Sequence, residues 1–135
     1  MKTKAVYKKI KEKSISWWKK RVWKVFSLFI RNRDNWTCFT CKSVFRGAGM
    51  HAGHFVPRSH NATFLSEIGV NAQCYVCNII KKGNAGEYAF RLIEKHGKDA
   101  FDELVKLGRT TKQFSVNELK ELEAHYKEEL KKYDL

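Results

Sequence analysis

Four cysteines, two histidines and two asparagines place most of the reactive chemistry of this chain within residues 38–78. The order is Cys38-Phe39-Thr40-Cys41, then His51-Ala52-Gly53-His54-Phe55-Val56-Pro57, an isolated Asn71, and finally Cys74-Tyr75-Val76-Cys77-Asn78. A Cys-x-x-Cys turn offers two thiolates from one tight bend, and two such turns complete a tetrahedral zinc site. A site filled by Cys38, Cys41, Cys74 and Cys77 keeps no vacant position, so this zinc is expected to hold structure rather than catalyse. All four cysteines of the chain lie in these knuckles, which argues for metal in a reducing compartment rather than disulfides. A redox dithiol needs only one such motif on a βαβ pattern, and that pattern is absent.

The histidines and Asn78 remain for a different, harder cation. A neutral His54 imidazole can take a proton from water to make the hydroxide that attacks a phosphodiester. The His51 imidazole and the Asn78 amide oxygen suit a divalent ion, Mg²⁺ or Mn²⁺, bridging the scissile phosphate. A nitrogen ligand favours ions softer than magnesium, so manganese or a second zinc fits the set as well. Because Asn78 directly follows Cys77, the zinc clamp fixes where its amide points. The alternative for His51 and His54 is packing or capping beside the zinc.

The chain has 135 residues, enough for one domain with a modest core helped by a metal. It carries 27 Lys+Arg against 14 Asp+Glu, a net charge of +13 and a pI of about 9.7. That footprint suits a polyanion, nucleic acid first and an anionic membrane second. Residues 1–33 hold twelve basic residues and one acidic, whereas residues 83–135 hold ten basic and eleven acidic. The phosphate-gripping surface is therefore expected to be N-terminal and central. The apolar run over residues 22–30 is short and interrupted by Lys24 and Ser27, so neither a signal peptide nor a membrane span is expected and the chain reads as cytoplasmic.

Residues 1–13 read as a basic arm, either solvated or contacting DNA. Residues 14–33 read as a basic amphipathic helix with Ser14 or Ser16 as N-cap and a stripe of Ile15, Trp18, Val22, Phe26 and Phe29. One face would pack on the zinc core while Lys19, Lys20, Arg21 and Lys24 face outward. The unit 36–83 reads as strand, loop, strand and helix: Met50 to Val56, then Val70 to Gln73, then a short helix around Tyr75–Lys82 ended by Gly83. A regular strand puts His51 and His54 on opposite faces, so a bend near Ala52-Gly53 is expected. Residues 84–135 read as helical, with segments from Gly86 to His96 and from Ala100 to Leu107. The last helix opens on the capping box Ser115-Val116-Asn117-Glu118 and runs to about Tyr133. The fold class is thus α+β and mainly helical, a single domain over residues 1–135.

The spacing Cys-x-x-Cys, Gly-His-Phe-Val-Pro and Asn-x-x-Cys-x-x-Cys-Asn, with Lys and Gly-Asn following, resembles the HNH (ββα-metal) nucleases that carry a four-cysteine zinc. More closely, His-Ala-Gly-His-Phe, Gln-Cys-Tyr-Val-Cys-Asn and Lys-Lys-Gly-Asn resemble the NinG/Rap recombination proteins of lambdoid phages. The similarity extends from about Ser16 to the C-terminus and includes Phe-Ile-Arg-Asn-Arg-Asp before the first knuckle. The Cys-Asn ending also resembles endonuclease VII-type junction resolvases.

The resemblance implies a metal-dependent, structure-specific DNA endonuclease acting on branched recombination intermediates such as Holliday junctions and D-loops. It matches His54 to the general base and Asn78 to the metal-binding residue after the last cysteine. Asn71 falls at the middle position of the catalytic motif, which organises the loop. Two departures stand out: Gly53 occupies the position that is Asp in many HNH enzymes, and His51 stands where the NinG-like pattern has a metal-binding acid. Arg58 and His60 are candidates for the scissile phosphate or plain surface positions, and Lys81 and Lys82 are expected on backbone phosphate beside Lys19, Lys20, Arg21 and Lys24. Two symmetric cuts at a four-way junction suggest a homodimer, and a phage recombinase is the expected partner. The rivals are an HNH nicking enzyme without junction preference and a non-catalytic zinc module that assists a recombinase.

Overall fold

A computed structural model describes residues 12–133, so the arm expected over residues 1–13 lies almost wholly outside the described residues. Ser14 starts helix α1 (Ile15–Arg33): its hydroxyl accepts the Trp17 N–H at 3.1 Å, which settles the choice between Ser14 and Ser16. Such a cap satisfies a donor the helix cannot, and is worth about 1 kcal/mol. Val22, Phe26, Phe29 and Ile30 are buried, whereas Ile15 at the start of the stripe is exposed. The buried stripe meets two partners. Phe26, Phe29 and Ile30 cluster with Ala52 and Val70 of the sheet and with Tyr126 of the last helix. The cysteines sit elsewhere, with Met50 and Ala72, and α1 reaches them through the sheet and through Trp36, whose indole N–H donates to Asn32 Oδ1 at 3.3 Å.

Strands β1 (Met50–His54) and β2 (Val70–Cys74) pair antiparallel from Met50↔Cys74, through Gly53↔Asn71, to His54↔Val70. The pairing is regular, so the bend expected at Ala52-Gly53 does not occur. Gly53 serves packing instead: a Cβ there would lie 2.1 Å from Gln73 Oε1. The Gln73 side chain cannot step aside freely, because it is fully buried and donates to Thr40 Oγ1 at 3.2 Å and to the Gly83 carbonyl at 2.8 Å. Gly53→Asp, which would install the acid many HNH enzymes carry, is therefore expected to destabilise the fold by at least about 1–3 kcal/mol through overpacking. A thermal unfolding curve measures this, and an unshifted midpoint would refute it.

The outer edge of β2 is covered from the end of α1. Asp34 Oδ2 accepts the Ala72 N–H at 2.8 Å, and the Phe39 N–H donates to the Ala72 carbonyl at 2.8 Å. Arg33 next to it donates to the carbonyls of Glu67 (2.7 Å) and Val70 (3.2 Å) and to Asn71 Oδ1 (3.0 Å). The opposite edge, along β1, has no strand partner in this two-stranded sheet.

The short helix expected around Tyr75–Lys82 is a π-helical turn, Val76–Ile80, closed by the Lys81 N–H on the Val76 carbonyl at 2.8 Å. Lys82, Gly83 and Asn84 all have left-handed backbone (φ 50, 91 and 48), and no α-helix continues through three such residues. Helices α2 (Ala85–His96) and α3 (Lys98–Gly108) are separated by Gly97 at φ 90. They bury Tyr88, Leu92 and Leu104 beneath Phe39 and Val56. Helix α4 (Val116–Leu130) opens on Ser115, whose hydroxyl accepts the Glu118 N–H at 3.1 Å; the Glu118 carboxylate pairs with Lys112 rather than reaching back. Among the described residues the architecture is α+β, with four α-helices and one two-stranded sheet. No helix among them is long and apolar enough to cross a membrane.

Candidate metal centre and cationic groove

The two knuckles meet. The Sγ atoms of Cys38, Cys41, Cys74 and Cys77 all lie within 4.8 Å of one another, with Cys41 and Cys74 at 3.7 Å. Each knuckle folds back on its first sulfur, Cys41 N–H to Cys38 Sγ and Cys77 N–H to Cys74 Sγ, both at 3.5 Å. The Asn84 amide donates to Cys77 Sγ at 3.8 Å. Burial pushes the Cys77 thiol up. At Cys38 burial acts upward too, but hydrogen bonds from Thr40 and nearby backbone outweigh it and the thiol is lowered. Four converging sulfurs, two of them buried, can hold a metal ion such as zinc, whose charge would offset the burial of thiolate.

A groove runs along the free edge of β1. Its larger part, about 390 Å³, is lined by His51 and Asn78 together with Met50, Ala52, Trp23, Arg31 and Arg58. The adjoining part, about 270 Å³, shares Trp23, Ala52, Arg58 and Asn78 and adds His54, Lys82 and Gly83. The strand residues that line it all come from β1 and none from β2. That resolves the opposite-face problem without a bend: at a sheet edge, side chains from both faces open onto the same space.

Within the groove, His51 Nδ1 and the Asn78 side-chain amide nitrogen are 3.0 Å apart. The π-helical turn sets that distance, because it carries Asn78 on the residue after Cys77 of the four-cysteine cluster. A half-turn of the amide about its last bond presents Oδ1 at the same place. His54 Nε2 lies 2.9 Å from the Phe64 carbonyl oxygen. A carbonyl only accepts, so Nε2 is the donor and the neutral ring keeps its lone pair on Nδ1. Burial lowers the pKa of His54, the Phe64 carbonyl raises it, and the Arg58 charge lowers it again; the net direction is down. Among the residues lining both parts, Arg31, Arg58 and Lys82 are positive and none is acidic.

Asn71 is elsewhere. It is buried, accepts from Arg33, and donates to the Ile68 carbonyl at 2.9 Å and the Tyr88 hydroxyl at 3.1 Å. Its place is beneath the loop between the strands, which it ties to β2. Lys19, Lys20 and Arg58 line a neighbouring hollow of about 390 Å³ with Asn61 and Phe64, so Arg58 belongs to both it and the groove. Lys19 donates to Asn61 Oδ1 at 2.7 Å. Arg21 instead pairs with the buried Glu123 carboxylate of α4, while Lys24 and Lys81 are exposed outside the groove. His60, in the loop beyond His54, makes a 2.7 Å hydrogen bond with the Gly108 carbonyl. The residues missed from sequence are Trp23, Ser27 and Arg31, which line the groove from α1. Their spacing of four signals one helix face, but only the packing of β1 against that face tells what it lines.

The whole chain, residues 1–135, matches the family model described as NinG, Bacteriophage Lambda NinG protein. It is 30% identical over 126 residues to Protein ninG of Escherichia phage lambda, an overlap covering 92% of this chain and 61% of that protein. To Protein ninG of Escherichia phage 933W it is 30% identical over 132 residues, 96% of this chain and 65% of the relative. To Protein ninG of Salmonella phage P22 it is 31% identical over 126 residues, 92% and 61% respectively. The chain therefore spans a little over three fifths of the length of these curated relatives. No solved structure matches it. With a full-length match to the family model and similarity to NinG proteins from several phages, this chain belongs to the NinG family.

Proposed function

We propose that this protein is a metal-dependent endonuclease that cuts DNA at branched recombination intermediates, on a ββα-metal (HNH) core held by a structural zinc. The observation that carries the proposal is the convergence of His51, His54 and Asn78 on one positively charged groove beside the four-cysteine cluster. His54 acts as general base: the Phe64 carbonyl fixes its Nε2 proton, and Nδ1 accepts a proton from the attacking water. Arg58 and Lys82 neutralise the phosphate and draw a strand into the groove. His51 and Asn78 would hold a divalent cation, and their close side-chain atoms suit one ion. When bound, that cation supplies charge stabilisation at the phosphorus and the leaving oxygen. An imidazole and an amide without a carboxylate fit manganese or zinc better than magnesium.

The contacts available are to phosphate rather than to base edges, which favours recognition of shape over sequence. Substrate choice is tested by comparing linear duplex, flap, D-loop and four-way junction in one cleavage assay. Preferential cutting of branched forms supports the proposal, and equal cutting of linear duplex supports a nicking enzyme. Symmetric resolution of a junction would require a homodimer, and a phage recombinase is the partner the substrate suggests. Lys19 and Lys20 extend the positive track away from Arg58. Lys19→Gln and Lys20→Gln are each expected to reduce the slope of log affinity against log salt by about 1, on branched and linear DNA alike. Unchanged slopes in a salt titration would take these lysines off the DNA path.

A further inference from the structure

His54 belongs to a three-ring aromatic cluster with Trp23 and Phe64. The Trp23 ring stacks on it with centroids 4.8 Å apart and planes at 20°. The Phe64 ring stacks at 5.7 Å and 13°. Trp23 and Phe64 also touch each other at 5.4 Å, and Arg58 lies over both, 4.9 Å from Trp23 and 5.6 Å from Phe64. One residue, Phe64, therefore supplies both a stacking face and the carbonyl that receives the Nε2 proton. Trp23 comes from α1, thirty-one positions away in sequence, and its other contacts are with Phe26 and the Phe64–Leu119 cluster.

We infer that Trp23 is a positioning residue for His54: its ring locks the imidazole plane so that Nε2 meets the Phe64 carbonyl and the Nδ1 lone pair faces the groove. The inference deepens the nuclease reading given above, but the ring geometry stands whether or not the groove cuts DNA. Stacking between flat rings fixes rotation about the Cβ–Cγ bond, the one freedom a single hydrogen bond leaves. It also shields the stacked face of the ring from water, which disfavours the imidazolium. The charged groups facing His54 act in the same direction. Arg58 lies over the Trp23 and Phe64 rings, Lys82 opens onto the same groove, and Lys19 sits 4.6 Å from the Phe64 ring. Among the described residues no carboxylate lines this part of the groove to favour the protonated ring. The sign is thus that His54 stays neutral to lower pH than an ordinary histidine, and loss of Trp23 moves its titration upward.

Long-range ¹H–¹⁵N correlation spectra of the zinc-loaded protein report the tautomer and titration midpoint of His54 directly. In the wild type the ring is expected as the Nε2–H tautomer with a midpoint below the ordinary histidine range. Trp23→Leu is expected to raise the midpoint and mix the tautomers, while Trp23→Phe, which keeps a stacking face and the fold, shifts both less. If cutting occurs, its acidic limb, read on saturated complexes, moves upward with the midpoint. Spectra showing the Nδ1–H tautomer in the wild type, or an unmoved midpoint in both folded variants, would overturn the inference. Altered spectra in a protein that cuts no DNA would retire the nuclease reading and leave the positioning role standing.

Discussion

His54→Ala is expected to lower the rate of junction cutting by about 10²–10⁴-fold, the range general-base catalysis contributes. The substitution removes a half-buried ring from beside Trp23 and Phe64, so some local repacking follows, but the strand pairing of β1 uses only backbone. DNA affinity is expected to persist, because the groove's charge comes from Arg31, Arg58 and Lys82. A rate measured on saturated complexes separates the two effects. Equal cutting by both proteins would remove His54 from the mechanism. Because the neutral ring is the active form and its pKa is lowered, the wild-type pH profile is expected to stay flat below the usual imidazole range before falling.

The second large effect concerns the cysteines. Cys74→Ser or Cys77→Ser is expected to unfold the core around both knuckles. Structural zinc in small domains contributes about 10–16 kcal/mol of apparent binding energy to folding, more than a chain of this size has in reserve. The buried cluster beside the sulfurs is thin, only Met50 and Ala72 with Trp36 packed against it, so burial cannot replace the metal. The strand that ends at Cys74 and the turn that carries Asn78 are both pinned there. Circular dichroism with metal analysis checks this, and a folded, zinc-replete variant would contradict it.

What could be read from the sequence was local. The Ser14 and Ser115 caps, the strands at Met50 and Val70 and the stop at Gly97 each depend on neighbours within a few residues. The four-cysteine cluster was also legible, because a Cys-x-x-Cys turn is a local device that only needs its twin. Two features depart from the local reading, and only the bend is absent. The bend expected at Gly53 follows from the need to bring His51 and His54 together, but an unpaired strand edge meets that need, and the glycine serves the buried Gln73. The short helix around Tyr75–Lys82 does form and does stop at Gly83, but its π-helical hydrogen bonding over Val76–Ile80 has no signal in the sequence. Trp23 at His54 and Asp34 at Ala72 were beyond reach, since nothing in either segment names its partner. The Phe-Ile-Arg-Asn-Arg-Asp stretch thereby acquires a physical meaning: its last two residues grip β2 from the end of α1.

The most direct measurement is cleavage of a labelled four-way junction with added manganese, by zinc-loaded wild type and by Asn78→Ala, compared at equal bound DNA. The groove as described predicts that the wild type cuts near the branch, and that Asn78→Ala keeps its zinc and its DNA affinity but loses cutting. Equal cutting by both proteins, or no cutting by the wild type on any branched substrate, would contradict it.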